Sequence, residues 1–256
     1  MNEKIGLVLS GGGVKAIAHI GLIKVLLENN IIPTQISGTS AGALIAALYA
    51  AGYSPEEMLS FFEETPILKF SLLALNKTGI IDSEKYTSIF EKFFPLNSFE
   101  DLNYPVTVTA TNLITGNLEY FNKGELIKPL LASSALPPLF SPIEIKGDLF
   151  SDGGIINNFP IEPLTETCTK IIGSFVNSIT SIEKSEISSS LKLLYRAYHI
   201  GLNSNYLTKF KNCDYVFLPN EVRNISVLDT KSIQHAYKLG YENAKREVEI
   251  ILKSMV

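Results

Sequence analysis

Two glycine-rich turns near the amino terminus carry residues whose types and spacing could do chemistry. Gly38-Thr39-Ser40-Ala41-Gly42 matches the G-x-S-x-G pattern, and Gly11-Gly12-Gly13 precedes it along the chain. In such a turn between strand and helix, the serine takes a strained backbone position and its hydroxyl is lifted clear of the sheet. Glycines at 38 and 42 fit, because a Cβ there would collide with the tight turn. Ser40 is therefore a candidate nucleophile, and the glycine loop a candidate source of backbone N–H donors.

Ser40 also fits a simpler role, as the cap of a helix that begins at Ala41. Two features favour the nucleophile. The motif lies at the carboxyl end of a predicted strand, where ligands bind in open α/β sheets. The glycine loop occupies the equivalent position on the preceding strand, so that both loops can face one crevice. The pattern indicates a serine hydrolase.

A serine hydroxyl needs a base before it can attack an ester. The order Ser40, Asp152 and then His199 or His235 would suit the triad of an α/β-hydrolase. In that fold several strands precede the nucleophile, whereas two are predicted here, and both histidines fall in helical stretches. Asp152 is the alternative base, although Asp-Gly turns are common without any catalytic role. His19, in the first helix, is expected to be packed or capping.

Strand-like apolar runs alternate with helical patterns, which favours a layered α/β/α fold with a mostly parallel central sheet. The predicted strands are residues 5–10, 34–38, 106–110, 118–121, 144–150, 170–176 and 215–218. The predicted helices are residues 14–29, 41–51, a helix that starts at Ser54, 82–94, 192–207 and 232–255. Strands of the same style resume after the Ser- and Glu-rich segment 177–190, so we expect a single domain over residues 1–256.

Composition excludes several classes of function. The chain has 256 residues, of which 46% are hydrophobic and 19% charged, as in ordinary globular proteins. Its net charge is −4 without a basic block, so we expect no nucleic-acid partner. Cys168 and Cys213 match no metal or redox spacing. The apolar run before the glycine loop is too short for a secretory signal, so we expect a cytoplasmic protein, at most peripheral to a membrane.

Three motifs in order make the chain resemble the patatin-like phospholipases, especially their bacterial members. These are the glycine loop Gly11-Gly12-Gly13-Val14-Lys15-Ala16, the serine turn at 38–42, and Asp152-Gly153-Gly154. The similarity spans at least residues 5–160. Ala16 departs from the family pattern, which usually has Gly there; Ala is nearly as small, so any effect concerns efficiency rather than class.

The resemblance implies a Ser40–Asp152 dyad that acts on a lipid ester without histidine, calcium or other cofactor. Ser40 would attack the acyl carbonyl, Asp152 would take its proton, and the N–H groups of the glycine loop would hold the oxyanion. An unperturbed aspartate has a pKa of about 3.9, so its surroundings must raise that value. Lys15 would either meet a lipid phosphate or be a solvated lysine on a helix face. The oligomeric state is left open.

Other interpretations of the same residues stay open. Gly11-x-Gly13-x-x-Ala16 also fits the dinucleotide fingerprint, but the second strand ends without the acidic residue that binds a ribose. A catalytically weak member could act as a lipid-binding or regulatory module. Two apolar segments, residues 66–75 and 136–140, could line an acyl-chain channel, rest against a bilayer or belong to the core.

Overall fold

A computed structural model of the chain describes residues 4–65, 73–74, 78–179, 181–202 and 206–255. The strands are β1 (Ile5–Leu9), β2 (Gln35–Thr39), β3 (Val106–Asn112), β4 (Leu118–Phe121), β5 (Ile143–Ile145), β6 (Asp148–Asp152), β7 (Lys170–Ser174) and β8 (Tyr215–Phe217). The α-helices are α1 (Ala18–Glu28), α2 (Ala41–Ala50), α3 (Pro55–Glu64), α4 (Thr87–Phe93), α5 (Ile127–Ser133), α6 (Glu162–Thr165), α7 (Ser190–Leu202), α8 (Tyr206–Phe210), α9 (Ile233–Arg246) and α10 (Val248–Ser254).

The eight strands form one mixed sheet in the order β5-β6-β3-β2-β1-β7-β8, and β4 pairs with β3 off this path. The five strands from β3 to β8 in that order are parallel. Antiparallel pairing is confined to β4 and β6, which flank β3, and to β5 beside β6. The predicted α/β fold with a mostly parallel central sheet is confirmed.

Strand β1 shows how the sheet separates two apolar layers. Its side chains alternate between the faces of the sheet, as strand geometry requires. Leu7 and Leu9 pack into the larger cluster of buried residues, which also contains α1 and α2 side chains. Val8 points the other way and packs with Phe159 and Phe175 in a second cluster. A central strand buried on both faces explains why its sequence is apolar throughout.

Local backbone geometry corrects two predicted elements. Residues 144–150, predicted as one strand, form the β5–β6 hairpin, because Lys146 and Gly147 take left-handed conformations with φ of 54° and 90°. The helix predicted over 232–255 is divided at Glu247 into α9 and α10. Asp152, predicted in a turn, is the last residue of β6.

Helix boundaries follow the caps where caps exist. Ser54 accepts a hydrogen bond from the Glu57 N–H, and the Glu57 carboxylate accepts one from the Ser54 N–H, so α3 begins where the sequence predicts. Helix α5 is not predicted by the sequence, because it is short and its N-cap, Leu126, supplies no side-chain acceptor. Within the described ranges, no helix has both the length and the apolar character needed to cross a membrane.

Candidate active site

The register of β3 brings Ser40 and Asp152 to the same level of the sheet. Strand β4 pairs with residues 108–111 along one edge of β3. Along the other edge, Thr39 of β2 pairs with Thr109, and Asp152 of β6 pairs with the next residue, Ala110. Ser40 directly follows Thr39, so Ser40 and Asp152 meet where β2 ends and β6 ends, beside the same edge of β3. Two residues far apart in sequence are thereby fixed by backbone pairing.

The turn at Ser40 has the strained geometry expected between a strand and a helix. Ser40 has φ 56° and ψ −131°, a conformation that residues other than glycine rarely adopt. Its N–H donates a hydrogen bond to the Ser133 hydroxyl oxygen at 2.8 Å. A Cβ on Gly42 would lie 2.5 Å from the carbonyl oxygens of Leu9 and Ser10. Glycine at 42 therefore lets α2 start in close contact with the end of β1.

Asp152 is a buried carboxylate that faces the serine. Only 4% of the residue is exposed. The Gly154 N–H donates a hydrogen bond to its Oδ1 at 2.8 Å. Burial raises the pKa of Asp152 to about 6, while the nearby Ser40 hydroxyl and the Gly154 N–H act in the opposite direction. The pair thus combines a hydroxyl with a carboxylate that is more basic than usual.

The glycine loop presents backbone donors at the same place. The Asn177 side chain donates a hydrogen bond to the Gly11 carbonyl at 2.8 Å, and the Val14 N–H donates to the Val227 carbonyl at 3.0 Å. The N–H groups of Gly11, Gly12 and Gly13 donate no hydrogen bond to any of the described residues. Gly13 has φ 55°, and a Cβ there would lie 2.2 Å from the Val227 carbonyl oxygen. The loop is held by its carbonyls and neighbours, which leaves these N–H groups available.

His19 ties the glycine loop to the sheet. Its Nε2 donates to the Ser10 carbonyl at 2.9 Å, and its Nδ1 lies 2.7 Å from the Ser174 hydroxyl. Burial lowers the pKa of His19 to about 4, so the ring is neutral at pH 7. A neutral ring donates from one nitrogen and accepts at the other, which matches these partners. His19 links the ends of β1 and β7 and is packed, as predicted.

An apolar cavity opens over Ser40 and Asp152. Its floor includes both residues and Gly11, Gly12, Gly13 and Gly154. Its apolar walls come from α2, α3, α4, α5 and the segment after α5, and include Leu44, Phe61, Phe62, Phe90, Leu131, Leu136 and Phe140. Segment 136–140, one of the two proposed channel segments, thus contributes two side chains. The other, residues 66–75, lies outside the described residues except for 73 and 74.

The two candidate triad histidines differ in position. His199 lines the cavity together with Tyr198, whereas His235 is an exposed residue of α9 that is not in the cavity wall. Burial lowers the pKa of His199 to about 4, and the charges of Lys15 and Arg196 act in the same direction.

Lys15 is buried rather than solvated. It is 8% exposed, and burial lowers its pKa. The alternative of a solvated lysine on a helix face is wrong, because the first turn is a 3-10 helix (Gly13–Ile17) whose last four residues are all buried. Lys15 lies close enough to His199 for its charge to act on that ring.

Two asparagines of the cavity wall are missed by the sequence analysis. Asn158 Nδ2 and Asn177 Oδ1 are buried and have no hydrogen-bond partner within the described structure. Asn158 follows Asp152-Gly153-Gly154 closely, and that proximity is the one signal that could have found it. Within the described part of the chain, no three His, Cys, Asp or Glu residues are grouped so that they could hold a metal ion.

Comparison with known proteins gives consistent similarities. The family model for patatin-like phospholipase matches residues 7–165. An uncharacterized NTE family protein of Mycobacterium tuberculosis is 31% identical over 165 residues, which are 64% of this chain and 46% of the relative. A lysophospholipase of Scheffersomyces stipitis is 29% identical over 177 residues, which are 67% of this chain and 11% of the relative. The chain spans less than half the length of these curated relatives.

The crystal structure of VipD from Legionella pneumophila has a similar fold. It aligns with a TM-score of 0.56 and 17% identity, over 96% of this chain and 67% of that chain. At this level of identity the similarity concerns the fold alone.

Proposed function

The chain belongs to the patatin-like phospholipase family, and on that premise we propose that it is a serine acyl hydrolase that cleaves a lipid ester. The substrate class is a phospholipid, a lysophospholipid or a similar ester. The observation that carries the proposal is that the Ser40 hydroxyl stands beside the buried Asp152 carboxylate, and both residues line an apolar cavity. An acyl chain fits such walls, because the removal of its apolar surface from water lowers the free energy of the complex.

The reaction proceeds in two halves. Asp152 accepts the hydroxyl proton as Ser40 Oγ attacks the acyl carbonyl carbon, which forms a tetrahedral oxyanion. Collapse of that intermediate breaks the ester bond, and the departing alcohol takes the proton from Asp152. Water then attacks the acyl-enzyme and gives a proton to Asp152. The second collapse releases the fatty acid, and the proton returns to Ser40.

The raised pKa of Asp152 supports its role as the base. A carboxylate with a pKa of about 6 is largely ionised at pH 7, yet it binds a proton more tightly than an ordinary aspartate. The Gly154 N–H and the Ser40 hydroxyl hold it in place. The same burial that makes the residue costly to the fold thus makes it useful for proton transfer.

The glycine loop is the proposed oxyanion hole. The N–H groups of Gly11, Gly12 and Gly13 have no acceptor among the described residues, so they can donate to the charge that develops on the carbonyl oxygen. Loss of one such donor typically lowers kcat by about a hundredfold or more. The proposed contact between Lys15 and a lipid phosphate requires the lysine to become accessible, since it is buried in this structure.

A Ser-His-Asp triad through His199 is the alternative mechanism. His199 lines the same cavity, but burial lowers its pKa to about 4, whereas the Ser40 hydroxyl lies close enough to Asp152 to act on the pKa of that carboxylate. A ring that binds protons so weakly is a poorer base than the carboxylate at neutral pH. The proximity of Asp152 and its higher pKa therefore favour the dyad.

We further propose that the chain acts as one domain, in the cytoplasm, without a cofactor, and in peripheral contact with a membrane. Strands from the first to the last part of the chain pair in one sheet, which supports the single domain.

Hydrolysis of p-nitrophenyl butyrate tests the proposed function. The wild-type chain should release p-nitrophenol, and Ser40→Ala should not. Ser60→Ala is a matched control, because this serine lies on the exposed side of α3, away from the cavity. Binding of lipid without turnover by the wild-type chain would instead support a lipid-binding or regulatory module.

A further inference from the structure

One stretch of this acidic chain carries only positive charge. Residues 187–213 contain Lys192, Arg196, Lys209 and Lys211 and no Asp or Glu, although the net charge of the whole chain is −4. Lys209 is paired with Glu162 at 2.5 Å. Lys192 and Lys211 are exposed, and the Lys192 ammonium donates to the neutral Ser188 hydroxyl at 3.0 Å. Within the described ranges, neither Lys192 nor Lys211 forms an ion pair, and these two exposed cations lie at the start of α7 and just after α8.

Between these cations, α7 presents an apolar face to the outside. Leu193, Leu194 and Ile200 are 56%, 60% and 45% exposed. At 100° per residue they fall on one side of the helix, together with the small exposed residues Ala197 and Gly201. In α8, which follows α7 along the chain, Leu207 is 65% exposed. We name Leu193, Leu194, Ile200 and Leu207 the α7–α8 outer face.

The other side of α7 faces the candidate active site. Tyr198 and His199 line the cavity whose floor holds Ser40 and Asp152. One helix therefore has an apolar outer surface and an inner surface in the cavity wall. A molecule bound to the outer face would be separated from the cavity by the width of one helix.

We propose that the α7–α8 outer face docks on an anionic lipid surface. An amphipathic helix with large apolar residues on one side and basic residues at its flanks binds at the boundary between headgroups and acyl chains. Lysines near such a surface are attracted by its negative potential. The inference rests on the proposed function, because docking there delivers a lipid ester beside the cavity. The membrane contact, which the composition of the chain permits without locating it, is thereby assigned to specific residues.

Vesicle flotation tests the docking surface. The probes are vesicles of phosphatidylcholine alone and of phosphatidylcholine with 30% phosphatidylglycerol. The wild-type chain should float with the anionic vesicles and much less with the neutral ones, and 0.5 M NaCl should weaken the binding because salt screens charge. The fraction of the double variant Leu193→Gln/Leu194→Gln that floats with the anionic vesicles should be lower than that of the wild type by about fivefold or more. Lys192→Glu/Lys211→Glu should lose binding to the anionic vesicles.

A matched control is available on another part of the surface. Leu96 and Ile114 are also largely exposed, and Leu96→Gln/Ile114→Gln should float like the wild type. All three double variants should hydrolyse p-nitrophenyl butyrate at the wild-type rate, because no substituted residue lines the cavity. Absence of p-nitrophenyl butyrate hydrolysis by the wild type would overturn the proposed function. Flotation measures membrane binding and does not depend on turnover, so the two proposals can fail separately.

Three results would overturn the docking proposal. The first is absence of wild-type flotation, and the second is equal flotation of the Leu193→Gln/Leu194→Gln variant. The third is a wild-type dimer that this variant converts to a monomer in light scattering, since a second copy of the chain would then cover the outer face. Unchanged melting temperatures show that the variants are folded.

A separate observation concerns Asn158. Its Nδ2 is buried, has no partner in the described structure and belongs to a residue of the cavity wall. Its Oδ1 and the Cβ of Ser40 lie 2.5 and 3.1 Å from the point where a Cβ of Gly11 would stand. The side-chain amide is therefore beside both the nucleophile and the glycine loop. We infer that the Asn158 amide is a further catalytic group, which donates a hydrogen bond to the oxyanion.

Kinetics with a transition-state mimic tests this role. Asn158→Ala and the isosteric Asn158→Asp should lower kcat for p-nitrophenyl butyrate by about tenfold or more, with KM changed by less than about threefold. The inhibition constant of a trifluoromethyl ketone, which forms an oxyanion adduct with serine, should rise by the same factor. A kcat within threefold of the wild type, or a lower kcat with unchanged ketone inhibition, would overturn the assignment. The aspartate variant keeps the side-chain volume if the alanine variant fails to fold.

Discussion

The hydroxyl of Ser40 lies close enough to the carboxylate of Asp152 to lower the pKa of that group. The two residues meet at one edge of β3, because Thr39 and Asp152 pair with its consecutive residues Thr109 and Ala110 while β4 takes the opposite edge. Backbone pairing, rather than a flexible loop, sets their separation. If Ser40 is the nucleophile and Asp152 the base, as proposed, a pair held by one sheet needs little reorganisation before proton transfer.

Removal of the base should abolish turnover. Asp152→Asn keeps the shape of the side chain and the hydrogen bond from Gly154, but an amide cannot accept the proton of Ser40 in the reaction. We expect kcat for p-nitrophenyl butyrate to fall by about a thousandfold or more. His199→Ala and His235→Ala should stay active. Loss of turnover in His199→Ala, with a wild-type melting temperature, would favour the triad instead.

The pH profile should report the raised pKa of Asp152. The base works only when ionised, so kcat/KM should rise with pH and level off above an apparent pKa of about 6. Below that value, activity should fall about tenfold for each pH unit. His199→Ala should show the same profile. If the rise of kcat/KM with pH disappears in His199→Ala, the group that titrates in the reaction is the histidine.

Asp152→Asn should make the folded chain more stable. Burial raises the pKa of this carboxyl from 3.8 to about 6, so the folded state binds its proton more tightly than the unfolded state. In the wild type, stability therefore falls as pH rises from 3.8 to 6 and stays lower above that window. The variant should gain roughly 3 kcal/mol in the free energy of unfolding at about pH 7.5, and roughly 1 kcal/mol at about pH 4.5. Urea unfolding at both pH values measures this difference, and an equal gain at both would contradict it.

A methyl group at Gly42 should disrupt the serine turn. Alanine favours helices, but its Cβ would lie 2.5 Å from the carbonyl oxygens of Leu9 and Ser10, so α2 would have to move away from β1. We expect Gly42→Ala to lose roughly 3 kcal/mol of stability and most of its activity. In the control Gly116→Ala, the Cβ meets nothing within 4 Å, and the cost should be that of a left-handed backbone, about 1 kcal/mol. Thermal unfolding of both variants gives the comparison.

A larger side chain near the nucleophile should change the preference for acyl chains. Leu44 lies one helical turn after Ser40 in the cavity wall. Leu44→Trp should lower kcat/KM for p-nitrophenyl octanoate roughly tenfold more than for p-nitrophenyl acetate, because the long chain needs the space that the indole fills. Equal effects on both esters would mean that the acyl chain lies elsewhere.

The sequence predicts those parts of the fold that depend on local pattern. The buried strand before the glycine loop and the capping box at Ser54 need only neighbouring residues to be recognised. The β5–β6 hairpin is missed because its turn uses Lys146 at positive φ, which few lysines adopt. Helix α5 is missed because it has no cap and is stabilised by tertiary packing.

The site shows the same division. Ser40 and the glycine loop are predicted from motifs and Asp152 from the family resemblance, whereas the proximity of Ser40 to Asp152 depends on β-sheet register, which spacing does not encode. Burial of Lys15 depends on elements packed over the first turn, and a helical pattern alone suggests a solvated side chain. Phe61 and Phe90, in helices α3 and α4, were not predicted to line the cavity for the same reason.

Covalent labelling with a fluorophosphonate, mapped by mass spectrometry, directly tests whether Ser40 is an activated nucleophile. The reagent modifies serines that are activated as nucleophiles. We expect one labelled peptide, with the adduct on Ser40, and no labelling of Ser40→Ala. Labelling of Asp152→Asn should be much slower, because the proposed base is missing. An unlabelled wild-type chain, or an adduct on another serine with Ser40 unmodified, would show that Ser40 is not the nucleophile.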